Sequence, residues 1–311
     1  RSGAKLRLPE RSLFTYRFSA PDYRCEVRAD NITPSLTAEL NVAMTVKDEE
    51  LAVKLAAALD IKDAPLRELL IRYDGALMVN RVEGPAVIPD DYELFTRDGA
   101  AWLRIRFMPE TLGATAVVVH FEQPLKDAAE LALPEFYLDQ AKGVRGHLML
   151  AAGRGLVLQA VELRQLRQIN TGTAPVREAG LQLAYRFRDQ DWGGKLRIQR
   201  EKATLIAELC QLGFIGEGTL FGSCVFTYQI AGAPIASLII SAAPELHNLE
   251  FTGRDIVDWK RLDDRDGRQR WQVNFRDKLF GEYTLLVTGE VKLAAGENRC
   301  RVGDIATEGA D

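Results

Sequence analysis

Residues 49–73 read EELAVKLAAALDIKDAPLRELLIRY, and residues 218–242 read GTLFGSCVFTYQIAGAPIASLIISA. The first stretch alone would favour a helix, because Ala, Leu and Glu are strong helix formers. The second stretch is rich in Phe, Tyr, Val, Ile and Thr, a composition that is typical of strands. The two stretches occupy equivalent positions of an internal repeat, so both are predicted to be strands.

The repeat aligns residues 16–84 with residues 185–253 without a gap, at a spacing of 169. Of the 69 aligned positions 17 are identical, where average composition would give about four or five. Most of these positions are apolar, Gly, Pro or turn residues, so the repeat predicts a shared fold and not a shared reaction. Farther along the chain the spacing becomes 168, and residues 301–311 align with residues 133–143 at that spacing.

Alternating apolar residues predict a long hairpin in each copy. In the first copy, residues 38–46 and 51–59 flank the polar turn 47–50, and the register places Val46 opposite Leu51. The equivalent hairpin joins residues 207–215 to residues 220–228. Its copied register puts Cys210 and Cys224 on opposite faces, which favours free thiols, although a one-residue bulge would bring the two cysteines to one face.

Short strands separated by Gly, Asp and Pro continue along both copies, and Asp98-Gly99 and Asp266-Gly267 are predicted turns. The sequence therefore predicts an all-β fold of two tandem, duplicated antiparallel β-sandwich domains. We assign them to residues 1–130 and 131–311, the second with an additional hairpin at residues 143–166. Because the sequence starts and stops inside the repeat, we expect either a slice of a longer array or degenerate terminal copies. Repeat proteins commonly need neighbours to complete each unit, which favours the slice.

Composition and motifs argue against several functions. The net charge is −4, with 27% charged residues mixed along the chain, so nucleic acid is an unexpected partner. No apolar run reaches the length of a transmembrane segment. His120, His147 and His247 have no metal-ligand spacing, and the acidic residues before Gly267 favour a turn over a calcium loop. We therefore predict no catalytic site, no metal and no cofactor.

Two groups of residues are candidates for a site. Arginine and aspartate recur in both copies and could form an ion-pair cluster in each domain, either a structural salt bridge or a ligand site. Trp259 lies in a charged segment, 255–266, that is predicted to be an exposed loop where a sugar ring could stack, whereas Tyr23, Trp192 and Trp271 are predicted to be core residues. The candidates are Arg17, Asp22, Arg28, Arg186, Asp191, Arg197 and Trp259.

Residues 249–275 (LEFTGRDIVDWKRLDDRDGRQRWQVNF) and 281–291 (GEYTLLVTGEV) resemble tandem β-sandwich repeat modules of large bacterial envelope and secreted proteins. The resemblance implies an exported, non-catalytic module that is periplasmic, on the cell surface or secreted. We thus expect a structural or interaction module whose partners are neighbouring domains of the same chain, with protein or glycan as further partners. The alternative is a carbohydrate-binding or accessory domain of a larger carbohydrate-active enzyme.

Overall fold

The computed structural model describes residues 22–27, 32–109, 111–126, 128–294 and 304–310. The chain divides into two compact units, Arg1–Thr33 and Pro34–Asp311. The described residues of the first unit have no regular secondary structure, and Arg24 forms an ion pair with Glu26 there. All of the strands that the structure describes lie in the second unit.

The second unit is built from strands joined by short turns, and its described residues contain no α-helix. The predicted all-β fold is therefore confirmed. A single 3-10 turn, Thr171–Thr173, interrupts the strands. The strands are β1 (Ser35–Val46), β2 (Glu50–Lys62), β3 (Glu68–Tyr73), β4 (Met78–Glu83), β5 (Val87–Arg97), β6 (Ala100–Phe107), β7 (Gly113–Pro124), β8 (Glu130–Ala132), β9 (Tyr137–Leu138), β10 (Ala141–Ala152), β11 (Leu156–Arg164), β12 (Arg167–Ile169), β13 (Leu181–Phe187), β14 (Gly193–Arg200), β15 (Thr204–Gly216), β16 (Thr219–Ala242), β17 (His247–Gly253), β18 (Ile256–Arg265), β19 (Arg268–Lys292) and β20 (Ile305–Thr307).

Both predicted hairpins form in the predicted register. In β1–β2, Val46 lies opposite Leu51, and in β15–β16, Gln211 lies opposite Cys224. Because successive side chains of a strand point to opposite faces, Cys210 is on the other face from Cys224. Cys210 is exposed and Cys224 is buried, and both are free thiols, which confirms that prediction.

The predicted turns between β5 and β6 and between β18 and β19 also form. Asp98 and Gly99 have φ angles of 53° and 77°, and Asp266 and Gly267 have φ angles of 53° and 72°. Two consecutive positive φ values are typical of a type I′ turn, whose twist suits a hairpin. The acidic residues at these positions therefore serve the backbone conformation of a turn.

The strands before residue 201 form one sandwich. A seven-stranded sheet has the order β12-β13-β10-β1-β2-β7-β4, and it is faced by a four-stranded sheet, β5-β6-β3-β9, and a three-stranded sheet, β11-β14-β8. All three sheets contribute to one hydrophobic core, for example through Leu40, Ile71 and Leu196. The sheets are antiparallel except for the pair β1–β10, which is parallel.

The predicted hairpin at residues 143–166 is wrong, although its two strands exist. β10 pairs with β1 and β13 in the seven-stranded sheet, and β11 pairs with β14 in the three-stranded sheet. Leu148 on β10 and Leu158 on β11 both point into the first core. The chain therefore crosses from one layer to the other at Gly153, because each strand buries its apolar face against a different sheet.

The strands after residue 203 form a second, smaller core that two long strands organise. β16 and β19 pair along most of their length, with irregularities between Ile230 and Ser237. The early part of β16 lies between β15 and β19, and its late part pairs with β20. β17 and β18 pair with different parts of β19. Strands that bend at such irregularities can pass from one sheet layer into the other.

Several strand pairs of the second core repeat the register of the first. The pair Glu50–Pro124 on β2 and β7 is matched by Thr219–Lys292 on β16 and β19. An irregularity lies between Val79 and Arg81 in β4–β7, and a similar one lies between His247 and Glu250 in β17–β19. The match is not complete, because β18–β19 has a register shift between Leu262 and Arg265 that β5–β6 lacks.

The tail of the repeat needs a correction of one residue. Ile71 pairs with Leu138 in the first copy, and the equivalent Ile240 pairs with Thr307. The spacing between Leu138 and Thr307 is therefore 169, where the sequence alignment predicts 168. Between the equivalent residues Pro124 and Lys292 and the equivalent residues Leu138 and Thr307, the second copy contains one more residue than the first, and sequence matching alone did not place that insertion.

The two hydrophobic cores are distributed unevenly along the chain. The first runs from Leu36 to Ile198 and the second from Cys224 to Ile305. The repeated residues Tyr185 and Phe187 are buried and lie in the first core. Their equivalents, Tyr16 and Phe18, lie outside the described residues. The boundary between residues 130 and 131 stays a prediction; the first core takes residues from both sides of it.

Candidate functional site

The structure spreads the predicted ion-pair residues over separate places. Arg17 and Arg28 lie outside the described residues, and Asp22 is exposed. Arg186 lies on β13 between His147 of β10 and Arg167 of β12 in the seven-stranded sheet.

The other two members of the predicted cluster have different ion-pair partners. Arg164 Nη2 lies 3.3 Å from Asp191 Oδ1 and 3.0 Å from Glu135 Oε1. Arg197 Nη2 lies 3.4 Å from Glu130 Oε1. In the described part of the chain, no ion pair joins Arg186, Asp191 and Arg197 to one another. These exposed pairs connect neighbouring elements, and such pairs contribute little to stability.

A polar row crosses the seven-stranded sheet at Arg186. Asn41, His147, Arg186 and Arg167 occupy consecutive opposite positions on four adjacent strands, so their side chains share one face. Asn41 Oδ1 and His147 Nδ1 are buried without a hydrogen-bond partner among the described residues. No group of three or more His, Cys, Asp or Glu side chains in that part of the chain could hold a metal ion.

Trp259 lies in a strand and not in the predicted loop. It is part of β18 and pairs with Val273 on β19, because residues 256–265 continue the hairpin that the turn at Asp266 closes. The ring is 41% exposed, and its centroid lies 5.6 Å from the ring centroid of Phe251. One side of the indole is therefore packed against the second core.

The other aromatic residues follow the core prediction only in part. Trp192 is fully buried and stacks on Phe187, with ring centroids 5.3 Å apart. Trp271 is partly buried against Phe251. Tyr23 was predicted to be a core residue and is exposed. The reason is that Tyr23 belongs to the Arg1–Thr33 unit, whose described residues form no strand that could bury it.

An ion pair fixes the last described segment to the second core. Arg270 Nε and Nη2 donate to the two carboxylate oxygens of Glu308 at 2.6 Å and 2.8 Å. Hydrogen bonding from this guanidinium lowers the pKa of Glu308. Arg268 also contacts Asp304 and donates to its carbonyl oxygen at 2.8 Å. These contacts hold β20 and the residues after it in place beside β16.

The feature that sequence reasoning missed is the exposure of β15, an edge strand of 13 residues. Leu209 is 47% exposed and Ile215 is 57% exposed, whereas the equivalent Leu40 and Val46 of β1 are 0% and 1% exposed. In the first copy β1 lies between β2 and β10, whereas β15 has β16 on one side and, among the described residues, no strand along its other side. A long apolar edge of this kind is a ready site for pairing with another strand.

The opposite face of β15 is apolar as well, and this signal was visible in the sequence. Leu212 is 72% exposed and Phe214 is 66% exposed. The equivalent positions of β1 carry Ala43 and Thr45. A strand with apolar residues on both faces is typical of one that is covered on both sides. We take the edge and outer face of β15 as the candidate interaction site.

Comparisons with known proteins add no assignment. No family model matches the chain, and no curated protein matches it. The chain is similar to native leukotriene A4 hydrolase from Saccharomyces cerevisiae at 11% identity and a TM-score of 0.32, covering 56% of this chain and 30% of that one. It is also similar to the Fcho1 Mu homology domain of Danio rerio with bound Eps15 peptide, at 8% identity and a TM-score of 0.16, covering 85% and 80%. At such TM-scores neither similarity carries an argument. No helix of the described residues is long and apolar enough to cross a membrane.

Proposed function

We propose that this chain is a non-catalytic structural and interaction module of a tandem β-sandwich array, in which the strands that begin one repeat complete the sandwich of the repeat before it. One observation carries the proposal. β13 and β14 align with the start of the first copy, yet Phe187, Trp192 and Leu196 lie in the first core. Successive repeats therefore share a core across their sequence boundary, which suits a protein that connects and spaces.

A joint between the two cores supports the same function. Lys278 of β19 contacts Asp48 in the β1–β2 turn, and the guanidinium of Arg154 lies 4.9 Å from the ring centroid of Phe280. Gly155 approaches so closely that an added Cβ would lie 2.9 Å from Ala233 Cα. The joint thus uses the turns at one end of the first sandwich and the bent segments of β16 and β19.

The surface that the second sandwich uses at this joint has a counterpart on the first. Ala233-Pro234 is identical to Ala64-Pro65 in the repeat. Phe280 is equivalent to Leu112, which is an exposed large apolar residue. A preceding repeat could therefore contact the first sandwich in the way that the first contacts the second.

The described aromatic residues favour this function over a glycan-binding one. Trp259 is the candidate for stacking on a sugar, and Phe251 already occupies one side of its ring. The export of the array, to the periplasm, the cell surface or the medium, is part of the proposal. Its support is the resemblance of residues 249–291 to envelope modules.

Shared strands are tested by hydrogen exchange on the full chain with two matched variants. Phe187→Ala should speed amide exchange in β1, β2 and β10 and leave β16 and β19 nearly unchanged, because Phe187 packs in the first core. Phe226→Ala, in the second core, should do the reverse. If Phe187→Ala instead loosens β16 and β19, the strands after residue 180 belong to their own repeat and the proposal fails.

The non-catalytic part is tested by screening the pure chain for glycan binding and hydrolase turnover. We expect neither. Turnover that is lost in a folded Arg17→Ala/Arg186→Ala double variant would contradict the structural function, because those two residues are the repeated arginines that a site inherited by both copies would use.

A further inference from the structure

We propose that the outer edge of β15 is the docking site for a parallel β-strand with the chemistry of β10, supplied by the neighbouring repeat of the array and entering beyond Ala310. The inference rests on the proposed function and names the partner of the candidate site. Three features carry the inference. They are the parallel bridge at which the added strand would begin, the exposed edge of β15, and the carboxylate of Glu208, which has no ion-pair partner among the described residues.

The first position of the added strand is already set. Leu205 of β15 forms an isolated parallel bridge with Ala310. In the first copy the equivalent pair, Leu36 and Ala141, is where β10 begins to run parallel to β1. The approach is the same too. Glu308 N donates to Ile239 O at 2.9 Å, as the equivalent Asp139 N donates to Leu70 O at 3.2 Å.

The outer edge of β15 is equivalent to the edge of β1 that pairs with β10. In the part of the chain that the structure describes, β15 pairs with β16 and has no strand on its other side. A strand edge without a partner leaves alternate backbone N–H and C=O groups open to pairing. An added strand that continues from Ala310 would bond these groups and place its side chains beside Leu209 and Ile215, as β10 lies beside Leu40 and Val46.

Charge defines the added strand further. In the first copy, Arg145 of β10 donates to the carboxylate of Glu39 on β1, with Nη2–Oε2 at 3.0 Å. Glu39 is identical to Glu208 in the repeat. Glu208 has no ion-pair partner among the described residues. We therefore expect a basic side chain beside Glu208, at the position that Arg145 takes beside Glu39.

Side-chain size completes the description. In the first copy Leu150 of β10 lies beside Met44 of β1. The position equivalent to Met44 is Gly213, which leaves room for a large apolar side chain from the added strand. On the outer face, residues equivalent to Met149 and Ala151 would lie beside Leu212 and Phe214. The occupant is thus apolar on both faces near its end and basic near its beginning.

The experiment extends the full chain by the sequence of residues 143–152, GVRGHLMLAA, placed directly after Asp311. Amide exchange is followed residue by residue in the extended and unextended chains. In β15, alternate amides, those that do not bond to β16, should exchange at least about tenfold more slowly in the extended chain, because each bond must open before exchange. Amides of the β1–β2 pair are the internal reference for an intact fold.

Charge reversal provides the matched control. Glu208→Arg in the extended chain should reduce the protection, and glutamate in place of the arginine of the extension should restore it. Unchanged exchange of β15 on extension would overturn the proposal. So would a dimeric unextended chain whose β15 amides are already slow, because a second copy of the chain would then be the occupant. Failure here with a normal result for Phe187→Ala refutes the docking site alone, whereas failure of both refutes the array.

Discussion

Substituting Gly155 by alanine should measure the cost of the close contact at the joint, once the ordinary cost of a positive φ angle in a turn is subtracted. Gly155 has a φ of 80°, a region where a residue with a Cβ costs about 1–2 kcal/mol. An added Cβ would also lie 2.9 Å from both Cα and Cβ of Ala233 and 3.2 Å from Pro234 Cδ. Backbone at that distance has to move, and overpacking of this kind typically costs about 1–3 kcal/mol. Gly155→Ala should therefore lower the free energy of unfolding by about 2–5 kcal/mol.

The matched control is Gly218→Ala in the β15–β16 turn. Gly218 has a φ of 74°, and an added Cβ would meet nothing within 4 Å. It should lose only the conformational part, about 1–2 kcal/mol. Urea titrations followed by circular dichroism give both values. Equal losses of unfolding free energy in the two variants would mean that the residues around Ala233 move aside without a free-energy cost. That result would refute the reasoning from the close approach at Ala233.

Two further predictions concern titration and reactivity in the second core. Burial raises the pKa of Tyr228 to about 12, while in the unfolded chain a tyrosine ionises near its ordinary pKa of about 10. The folded state therefore keeps the Tyr228 proton to higher pH than the unfolded state does. The free energy of unfolding should keep its full value below pH ~10 and fall by about 2–3 kcal/mol as the pH rises to ~12. Urea midpoints of Tyr228→Phe should fall less over this range, and an equally steep fall would contradict the assignment. Cys210 is exposed and Cys224 is buried, and burial raises the pKa of the Cys224 thiol. Peptide mass mapping after maleimide treatment should therefore find the label on Cys210 in the folded chain and on Cys224 only after unfolding. Equal labelling of the two cysteines in the folded chain would contradict the burial of Cys224.

The hairpins could be predicted because two independent patterns agreed. Alternation in residues 36–46 fixed the face of β1, and the repeat excluded a helix for residues 51–59. Register follows from these two facts, since a slip by one residue would expose every apolar side chain of the strand. The opposite faces of Cys210 and Cys224 came from the same reasoning.

The partners of later strands could not be predicted, because alternation identifies the buried face of a strand but not its neighbour. β10 and β11 follow each other with a short turn, which favours a hairpin in sequence reasoning. In the structure β10 gains pairing with β1 and β13 instead. The same limit hid the place of β13 and β14 in the first core.

The sequence predicted site residues only from their recurrence in the repeat, and the structure does not bring these residues together. Arg186, Asp191 and Arg197 were chosen because they recur, but the partners of the two that form ion pairs, Arg164 and Glu130, come from elements outside the aligned repeat. Ion pairs across strands depend on which strands are neighbours. The exposed edge of β15 needed the comparison with β1, where β10 covers the equivalent residues.

The long separation of partners in the first core has a consequence for the order of folding. β10 is about a hundred residues from its parallel partner β1, and β14 joins later still, so the first sandwich has a high contact order and should fold slowly. During synthesis at ~5–20 residues per second, roughly 7–30 s would pass between completion of β1 and β2 and the addition of Ile198. The second core closes over a shorter stretch. The first sandwich is therefore expected to finish folding only after β14 has been made, which prolongs the time during which its apolar strands are exposed to chaperones.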